Sequence, residues 1–266
     1  MQTLSSLQTA NRQYDTGDRP VLVLCSDMHE YVCKYALNGN VTNLFCEYVA
    51  ASFLRLWQLP VPDFAFVKIS HDHVKDFRIP TYCIDKTSFG SQYSKFYQEL
   101  THFTDSPDLK KQKAYMDNRE ILLKIALFDI WISNEDRNYN NLNLLLDIEN
   151  NYNFVPIDHG AIFNTRTMDY PMTLLTENEC ITDIPLVKSL FQRTDFNLAY
   201  VQNMKDYFYL CTLECKKNFN QILELMPPDW NIDSAVASQK FDNELFSANW
   251  ETQVIDTFLN YIDTPF

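Results

Sequence analysis

The chain has 266 residues, of which 46% are hydrophobic and 14% aromatic, and its formal net charge is −13. This is the composition of a packed globular protein, and the negative charge disfavours nucleic acid and anionic membrane surfaces as partners. Only four glycines are present, all isolated, where average usage of about 7% would give roughly 19, so the glycine-rich nucleotide-binding loops of many proteins are excluded.

The first hundred residues predict a small sheet that carries one helix. The predicted elements are, in chain order, an irregular polar segment over 1–19, a hairpin with strands 20–25 and 30–35 around the turn 26–29, a helix from an Asn43 cap to about Gln58, and strands over 64–69 and 79–84.

The remainder of the chain is predicted to be mainly helical. A capping-box-like pair, Asp117 and Glu120, suggests a helix start. The predicted elements are a helix over 117–133, short strands over 142–146 and 152–157, and helices over 184–193, 197–225 and 245–262. We therefore predict an α+β fold in one domain over 1–266, with a small β-rich N-terminal lobe over 18–100 and a larger, mainly helical C-terminal lobe over 115–266.

A polar loop after the 117–133 helix is the segment most indicative of chemistry. If the following hairpin turns between Glu149 and Asn150, residues whose numbers sum to 299 are paired, and Asn141 lies beside Asp158. Two such oxygen donors suit Mg²⁺, and Asp136, earlier in the loop, is placed to reach a hydroxyl near the metal. Loops rich in Asp and Asn are usually only turns, so the predicted pairing is what favours a site.

These motifs resemble those of a known family. The order Asp-x-x-x-x-Asn, hairpin, Ile-Asp-His-Gly, at residues 136–141 and 157–160, resembles the HipA-like protein kinases and, more distantly, the phosphoinositide kinases. Residues 31–34 resemble the strand that carries the ATP-binding lysine, and residues 43–51 resemble the glutamate-bearing helix of that family. The resemblance spans about residues 20–165.

The resemblance implies a two-lobed protein-kinase-like fold, ATP and Mg²⁺ as cofactors, and a role for each matching residue. Ser26 begins the turn 26–29, which takes the place of the phosphate loop and would contact the nucleotide. The other implied roles are phosphate binding for Lys34, an ion pair with Lys34 for Glu47, the catalytic base for Asp136, and magnesium binding for Asn141 and Asp158.

The sequence departs from the family pattern at two points. Asn138 stands where the loop usually has His, although an Asn side chain can still hydrogen-bond to nearby backbone. The turn 26–29 contains no glycine, and Asp27 adds negative charge where phosphates are expected. Because only residues 1–19 precede the first predicted strand, the antitoxin partnership of the HipA toxins is not carried over.

The leading hypothesis is a kinase that transfers phosphate from ATP to a serine or threonine hydroxyl of a protein. A lipid or small-molecule kinase and a catalytically inactive, nucleotide-binding pseudokinase are the alternatives. The protein substrate and any regulatory protein partner are not identifiable from the sequence.

Seven cysteines without a C-x-x-C pair, no signal-peptide pattern and no apolar run near 18 residues predict a cytoplasmic protein with no membrane span. A metal role for the His71-Asp72-His73 cluster is not favoured, because such a short cluster on a loop is usually solvated.

Overall fold

A computed structural model describes residues 3–100, 109–165 and 171–263. Its N-terminal part is built on a six-stranded sheet, and most of its long helices follow residue 108, which confirms the predicted α+β class. The lobe boundaries at 18–100 and 115–266 stay a prediction. The strands of the large sheet are β1 (Thr3–Ser5), β2 (Arg12–Gln13), β3 (Val21–Leu24), β4 (Glu30–Lys34), β5 (Phe64–Lys68) and β6 (Ser88–Gln92).

The strand order in this sheet is β1-β5-β6-β4-β3-β2. The predicted hairpin is confirmed: β3 and β4 are antiparallel, with Val21 opposite Cys33 and Leu24 opposite Glu30. Residues 1–19 are not irregular as predicted, since β1 pairs in parallel with β5 and β2 pairs with β3. These strands have only three and two residues, which is too short for a periodic pattern to indicate them.

The strand predicted over 79–84 is wrong. A short helix, Thr81–Ile84, lies there, and the strand follows at β6. β6 lies between β4 and β5, and Gly90 allows this close packing, because a Cβ at that position would lie 3.0 Å from Val67 Cγ2 and 3.1 Å from Tyr31 Cβ. The segment 89–91 is therefore part of a central strand.

Two helix starts differ from those predicted. The first long helix begins at Thr42, and its first N–H is capped by Asn40 Oδ1 at 2.8 Å, so Asn43 is not the cap. The helix expected from Asp117 begins earlier, at Leu109, so the Asp117–Glu120 pair is interior rather than a capping box. The helices are α1 (Thr42–Leu56), α2 (Thr81–Ile84), α3 (Leu109–Trp131), α4 (Ile162–Thr165, one distorted turn), α5 (Pro185–Leu190), α6 (Leu198–Glu224), α7 (Ser234–Asn243) and α8 (Ala248–Asp263).

The large sheet separates two hydrophobic cores. One face carries Phe66 and Phe89 and packs with α1 into the main core, which continues through the C-terminal helices. The other face carries Val23, Cys33 and Val67 and forms a smaller core closed by residues near Val74 and Ile84. The side chains of all seven cysteines are buried.

Helix α1 is embedded in the main core rather than lying on its surface. Eleven of its 15 residues are buried. The Tyr48 hydroxyl donates to the Ile222 carbonyl at 2.9 Å, and Phe53 packs between Trp131 and Phe219. Helix α1 therefore has a fixed position between the sheet and the C-terminal helices.

A second, three-stranded sheet follows the order β7-β8-β9, with β7 (Tyr97–Glu99), β8 (Leu144–Asp147) and β9 (Asn153–Pro156). The predicted register of the β8–β9 hairpin is wrong by one residue. Asp147 pairs with Asn153 and Leu144 with Pro156, so paired numbers sum to 300 and the turn centres on Asn150. Asn141 therefore lies outside the ladder, and strand pairing does not set it beside Asp158.

The side chain of Asp147 is the physical reason for this register. Its Oδ1 accepts from the backbone N–H groups of Glu149 and Asn150 at 3.2 Å, and its Oδ2 accepts from Asn150 Nδ2 at 2.7 Å. Asn151 and Tyr152 both adopt left-handed φ values of 54° and 55°. These contacts close a five-residue loop where the prediction required four residues.

Candidate active site

The alternation of β4 positions the lysine of the site. Tyr31 and Cys33 are buried in the smaller core, so Lys34 lies on the opposite face, towards α1. Only 13% of the Lys34 side chain is exposed. An ammonium group placed so deeply requires anionic partners, since burial of an unpaired charge is costly.

Three carboxylates surround the Lys34 ammonium group. Nζ donates to Glu47 Oε1 at 2.5 Å and to Asp158 Oδ1, and Asp18 Oδ2 lies 3.6 Å away. Glu47 belongs to α1 and is 5% exposed, whereas 39% of the Asp158 side chain is exposed. Three of the predicted site residues thus meet at one point, and Asp18 joins them.

Gly160 permits this close assembly. A Cβ at Gly160 would lie 3.3 Å from Glu47 Oε1 and 3.6 Å from Asp18 Oδ2. Asp158 itself adopts a left-handed φ of 61°, which is uncommon for a residue other than glycine and is frequent at functional sites. The turn 158–160 is therefore shaped around the carboxylates.

The pKa values of the groups in this cluster are shifted in different directions. Burial lowers the pKa of Lys34, but the carboxylates of Glu47, Asp158 and Asp18 outweigh it and raise the pKa above its usual value. Burial raises the pKa of Asp158, but the Lys34 ammonium outweighs this effect and lowers the pKa. For Glu47, burial prevails over Lys34 and the pKa is raised. Lys34 is charged, and the cluster carries more negative than positive charge.

The loop that carries Asp136 lies between α3 and β8. Asp136 is partly exposed, and its Oδ2 accepts from Asn143 Nδ2 at 3.2 Å. Asn138 and Asn141 exchange backbone hydrogen bonds at 3.0 and 3.1 Å, which makes a tight turn. The Asn138 amide also bonds to neighbouring backbone on both sides, as expected for an Asn in place of His. Asn141 lies exposed at the end of this turn, and Asn143 contacts Asp136.

A buried guanidinium group connects this loop to the turn 157–159. Arg137 is fully buried. Its five N–H groups donate to five acceptors. These are the Asp129 carboxylate (2.9 Å), the Leu142 carbonyl (3.2 Å), the Asn143 carbonyl, the Ile157 carbonyl (3.1 Å) and His159 Nε2 (2.8 Å).

The acidic partner of Arg137 lies on α3. Asp129 is 2% exposed and also accepts from Asn134 Nδ2 at 2.8 Å. Burial raises the pKa of Asp129, and Arg137 and Asn134 oppose this. Burial and the neighbouring guanidinium lower the pKa of His159 well below its usual value, so His159 is neutral and accepts from Arg137.

Sequence reasoning did not identify this network. One signal was present: Asp129 is the only charged residue between Lys124 and Glu135. An acid within such an apolar helix needs a buried cation as its partner.

Ser26 is not near the Lys34 cluster. The β3–β4 turn lies next to Glu30, and Lys34 is four residues further along β4, about 13 Å away for an extended strand. The Ser26 hydroxyl instead accepts from the Ser5 N–H at 3.3 Å. The hairpin loop that approaches Lys34 is the one between β2 and β3, residues 14–20, which contains Gly17 and Asp18.

The His71-Asp72-His73 cluster has structural partners. His73 Nδ1 bonds to the Ser6 hydroxyl at 2.8 Å, and His71 Nε2 lies 3.2 Å from the Asp85 carboxylate. Within residues 3–100, 109–165 and 171–263, no group of three or more His, Cys, Asp or Glu side chains is arranged to hold a metal ion. No helix in those ranges has the length and apolar character needed to span a membrane.

Comparison with known proteins bears on the fold and the family of this chain. The chain is similar in fold to a solved structure described as a Helicobacter pylori proinflammatory kinase, CtkA, with a TM-score of 0.57, 13% identity and 98% of each chain covered. No curated protein matches the sequence. The model of the HipA-like kinase family matches residues 8–260. The α+β architecture is thus kinase-like, and the chain belongs to the family of HipA-like kinases.

Proposed function

We propose that this kinase uses ATP and Mg²⁺ to phosphorylate a serine or threonine hydroxyl of a protein. The observation that carries the proposal is the contact of one Lys34 ammonium group with both Glu47 and Asp158. A lysine paired in this way is charged, oriented and next to a carboxylate that can bind metal. The kinase chemistry follows from the family, whereas the cofactors, the acceptor and the residue roles are our proposal.

The nucleotide phosphates would lie between Lys34 and the β2–β3 loop, residues 14–20. This loop is tied back by the Tyr35 hydroxyl, which donates to the Arg19 carbonyl at 3.0 Å. A Cβ at Gly17 would meet nothing within 4 Å, so open space borders the loop there. This loop replaces the turn 26–29 as the proposed phosphate loop, and Ser26 is no longer proposed to bind the nucleotide.

Asp158 and Asn141 are the proposed Mg²⁺ ligands. Mg²⁺ is usually bound by one or two protein oxygens together with phosphates, so it needs no larger cluster of acids. The partly exposed carboxylate of Asp158 fits this requirement, as does the excess of negative charge around Lys34. For Asn141 the support is the family resemblance, since the hairpin register does not pair it with Asp158. Bound Mg²⁺ would neutralise charge on the phosphate oxygens.

Asp136 is the proposed catalytic base. It is partly exposed, and Asn143 holds one of its oxygens at 3.2 Å, which leaves the other oxygen to accept a proton. In the transfer, the acceptor oxygen forms a bond to the γ-phosphorus, the bond from that phosphorus to the ADP oxygen breaks, and the hydroxyl proton passes to Asp136.

The direct test is incubation with γ-labelled ATP and Mg²⁺, followed by phosphoamino-acid analysis of the labelled protein. We expect phosphoserine or phosphothreonine, and loss of label in Asp136→Ala and Asp158→Ala. Glu149→Ala, which removes an exposed acid from the β8–β9 hairpin loop, is the control and should keep its activity. Transfer that persists in both active-site variants would contradict the proposal.

A second candidate, a nucleotide-binding pseudokinase, is favoured by one observation. Asp18 lies 3.6 Å from Lys34, where it adds negative charge to the proposed phosphate site. Such a charge weakens phosphate binding unless a cation offsets it. A protein that binds MgATP in a thermal-shift assay but transfers no label would support this candidate.

A further inference from the structure

The Arg137 side chain holds the chain immediately next to both candidate carboxylates, Asp136 and Asp158. Asp136 immediately precedes Arg137, and Asp158 lies between Ile157 and His159, both of which accept from Arg137. The loop that carries Asp136 and the turn that carries Asp158 are separated in sequence by the β8–β9 hairpin, and besides Arg137 they are joined by the Ile157 N–H, which donates to the Asn143 carbonyl at 3.0 Å. The guanidinium group is therefore a cross-link between the two segments that the proposed reaction must align.

The shape of the guanidinium group suits this task. Its N–H groups are fixed in one plane, and here all five have acceptors, so no rotation preserves the contacts. A lysine would keep the charge but has only three donors at one point. Because Arg137 is fully buried, it cannot bind a substrate directly.

Asp129 determines where the guanidinium group is held. It lies near the end of α3, an element of the main core, and its second oxygen is held by Asn134. The arginine is thus anchored to the core on one side and to both candidate catalytic segments on the other. Partners of this kind, which hold the groups that contact substrate or metal, typically change activity 10–100-fold when they are removed.

We propose that Arg137 and Asp129 are positioning residues of phosphoryl transfer, which together set the placement of Asp136 relative to Asp158. This inference rests on the proposed function. It assigns no substrate contact to either residue, and it predicts an effect on the rate of transfer rather than on nucleotide binding, for which Lys34 and the β2–β3 loop are proposed.

The test compares Arg137→Lys with wild type in MgATP turnover and in hydrogen exchange. We expect kcat to fall roughly 10- to 100-fold, because small misplacements of reacting groups have effects of this size, while KM for ATP changes less than about threefold. We also expect faster amide exchange in residues 138–143 and 157–160 together. Asp129→Asn, which keeps the side-chain shape, should change both readouts in the same direction.

Arg119→Lys is the matched control. Arg119 also lies on α3, and its guanidinium group donates to both oxygens of Asp195 and to the Leu190 carbonyl, away from the candidate site. It should leave kcat and the exchange of both segments unchanged. A kcat within about twofold of wild type in both Arg137→Lys and Asp129→Asn, or faster exchange in only one segment, would overturn the inference.

Hydrogen exchange separates this inference from the proposed function. If the wild-type protein turns over no ATP, the proposed function fails, but the cross-link is still judged by whether both segments loosen together. If turnover is normal and the exchange of the two segments is independent, the cross-link fails and the proposed function stands. Should Arg137→Lys not fold, Asp129→Asn supplies both readouts.

Discussion

The ion-pair clusters around Arg137 and Lys34 differ in the balance between donors and acceptors. At Arg137, five donors meet five acceptors, one carboxylate balances one cation, and the group is fully buried. At Lys34, a single ammonium faces three carboxylates, and Asp158 is partly exposed. The two clusters meet at three consecutive residues, because Ile157 and His159 contact Arg137 whereas Asp158 contacts Lys34.

This difference separates a structural cluster from one that suits a ligand. A buried ion pair with every hydrogen bond satisfied holds neighbouring segments in place, and removing one partner leaves a buried charge uncompensated. A partly open cluster with excess charge and shifted pKa values is typical of functional sites, because a ligand or cation can supply the missing balance. The predictions that follow test this contrast, from the largest expected effect to the smallest.

Removal of the arginine should have the largest effect, on stability. Arg137→Ala leaves the Asp129 carboxylate without a cation inside the core, so we expect the free energy of unfolding to fall by about 3–5 kcal/mol in urea titrations. The control is Arg193→Ala, whose exposed partner Asp263 lies 3.8 Å away, and it should cost less than about 1 kcal/mol. If Arg137→Ala also lowered the free energy of unfolding by less than about 1 kcal/mol, the Arg137 cluster would not have a structural role.

Removal of the lysine should abolish most of the activity. Lys34→Met removes the charged donor proposed for the phosphates, so we expect phosphoryl transfer to fall by about 10²–10³-fold. The same change leaves Glu47 buried and unpaired, which lowers stability as well.

The double variant Lys34→Met/Glu47→Gln separates these two effects. It replaces the unpaired Glu47 carboxylate with a neutral amide, so the variant should regain stability in urea titrations without regaining phosphoryl transfer. If activity returned together with stability, Lys34 would have only a structural role, and the contrast between the clusters would fail.

Nucleotide binding at the Lys34 cluster should stabilise the protein. MgATP at 100 times its dissociation constant adds about 2.7 kcal/mol of stability, so we expect the Tm to rise by about 5–10 °C for a protein of this size. Lys34→Met/Glu47→Gln should show little of this shift, and Arg137→Lys should retain it. The absence of a shift for the wild type at millimolar MgATP would argue against nucleotide binding at this cluster.

Asp18 should have the smallest effect and the opposite sign. Asp18→Asn removes one negative charge beside Lys34, which is worth about 1 kcal/mol, so the dissociation constant for ATP should fall roughly fivefold. Asp15→Asn removes the same charge from an exposed position in the same loop and is the control. Equal changes in both variants, measured by calorimetry, would attribute the effect to total charge rather than to the contact with Lys34.

Most of the local structure could be predicted from the sequence. The apolar runs at 20–25 and 30–35 indicated the β3–β4 hairpin, and the polar turn near Asn150 indicated the β8–β9 hairpin. Each of these signals comes from neighbouring residues, which share the period of the strand they form. Strand β1 could not be predicted in the same way, because its three residues are held by pairing with β5, some 60 residues away.

The candidate site was predictable in its members but not in its connections. Lys34, Glu47 and Asp158 were expected together and do meet. The predicted pairing of Asn141 with Asp158 was wrong, because hydrogen bonds to Asp147 lengthened the turn by one residue, and such a shift changes the partner of every residue in the hairpin.

Taken by itself, the sequence determined the α+β class, the order of the motifs and the residue types available for phosphoryl transfer, because these depend on local pattern and chemistry. Tertiary structure alone decided which loop approaches Lys34, and it brought Asp18 and the Asp129–Arg137 pair into the site. The physical reason is that burial and ion pairing act between residues distant in sequence. Whether a charge is balanced is a property of the assembled core rather than of any segment.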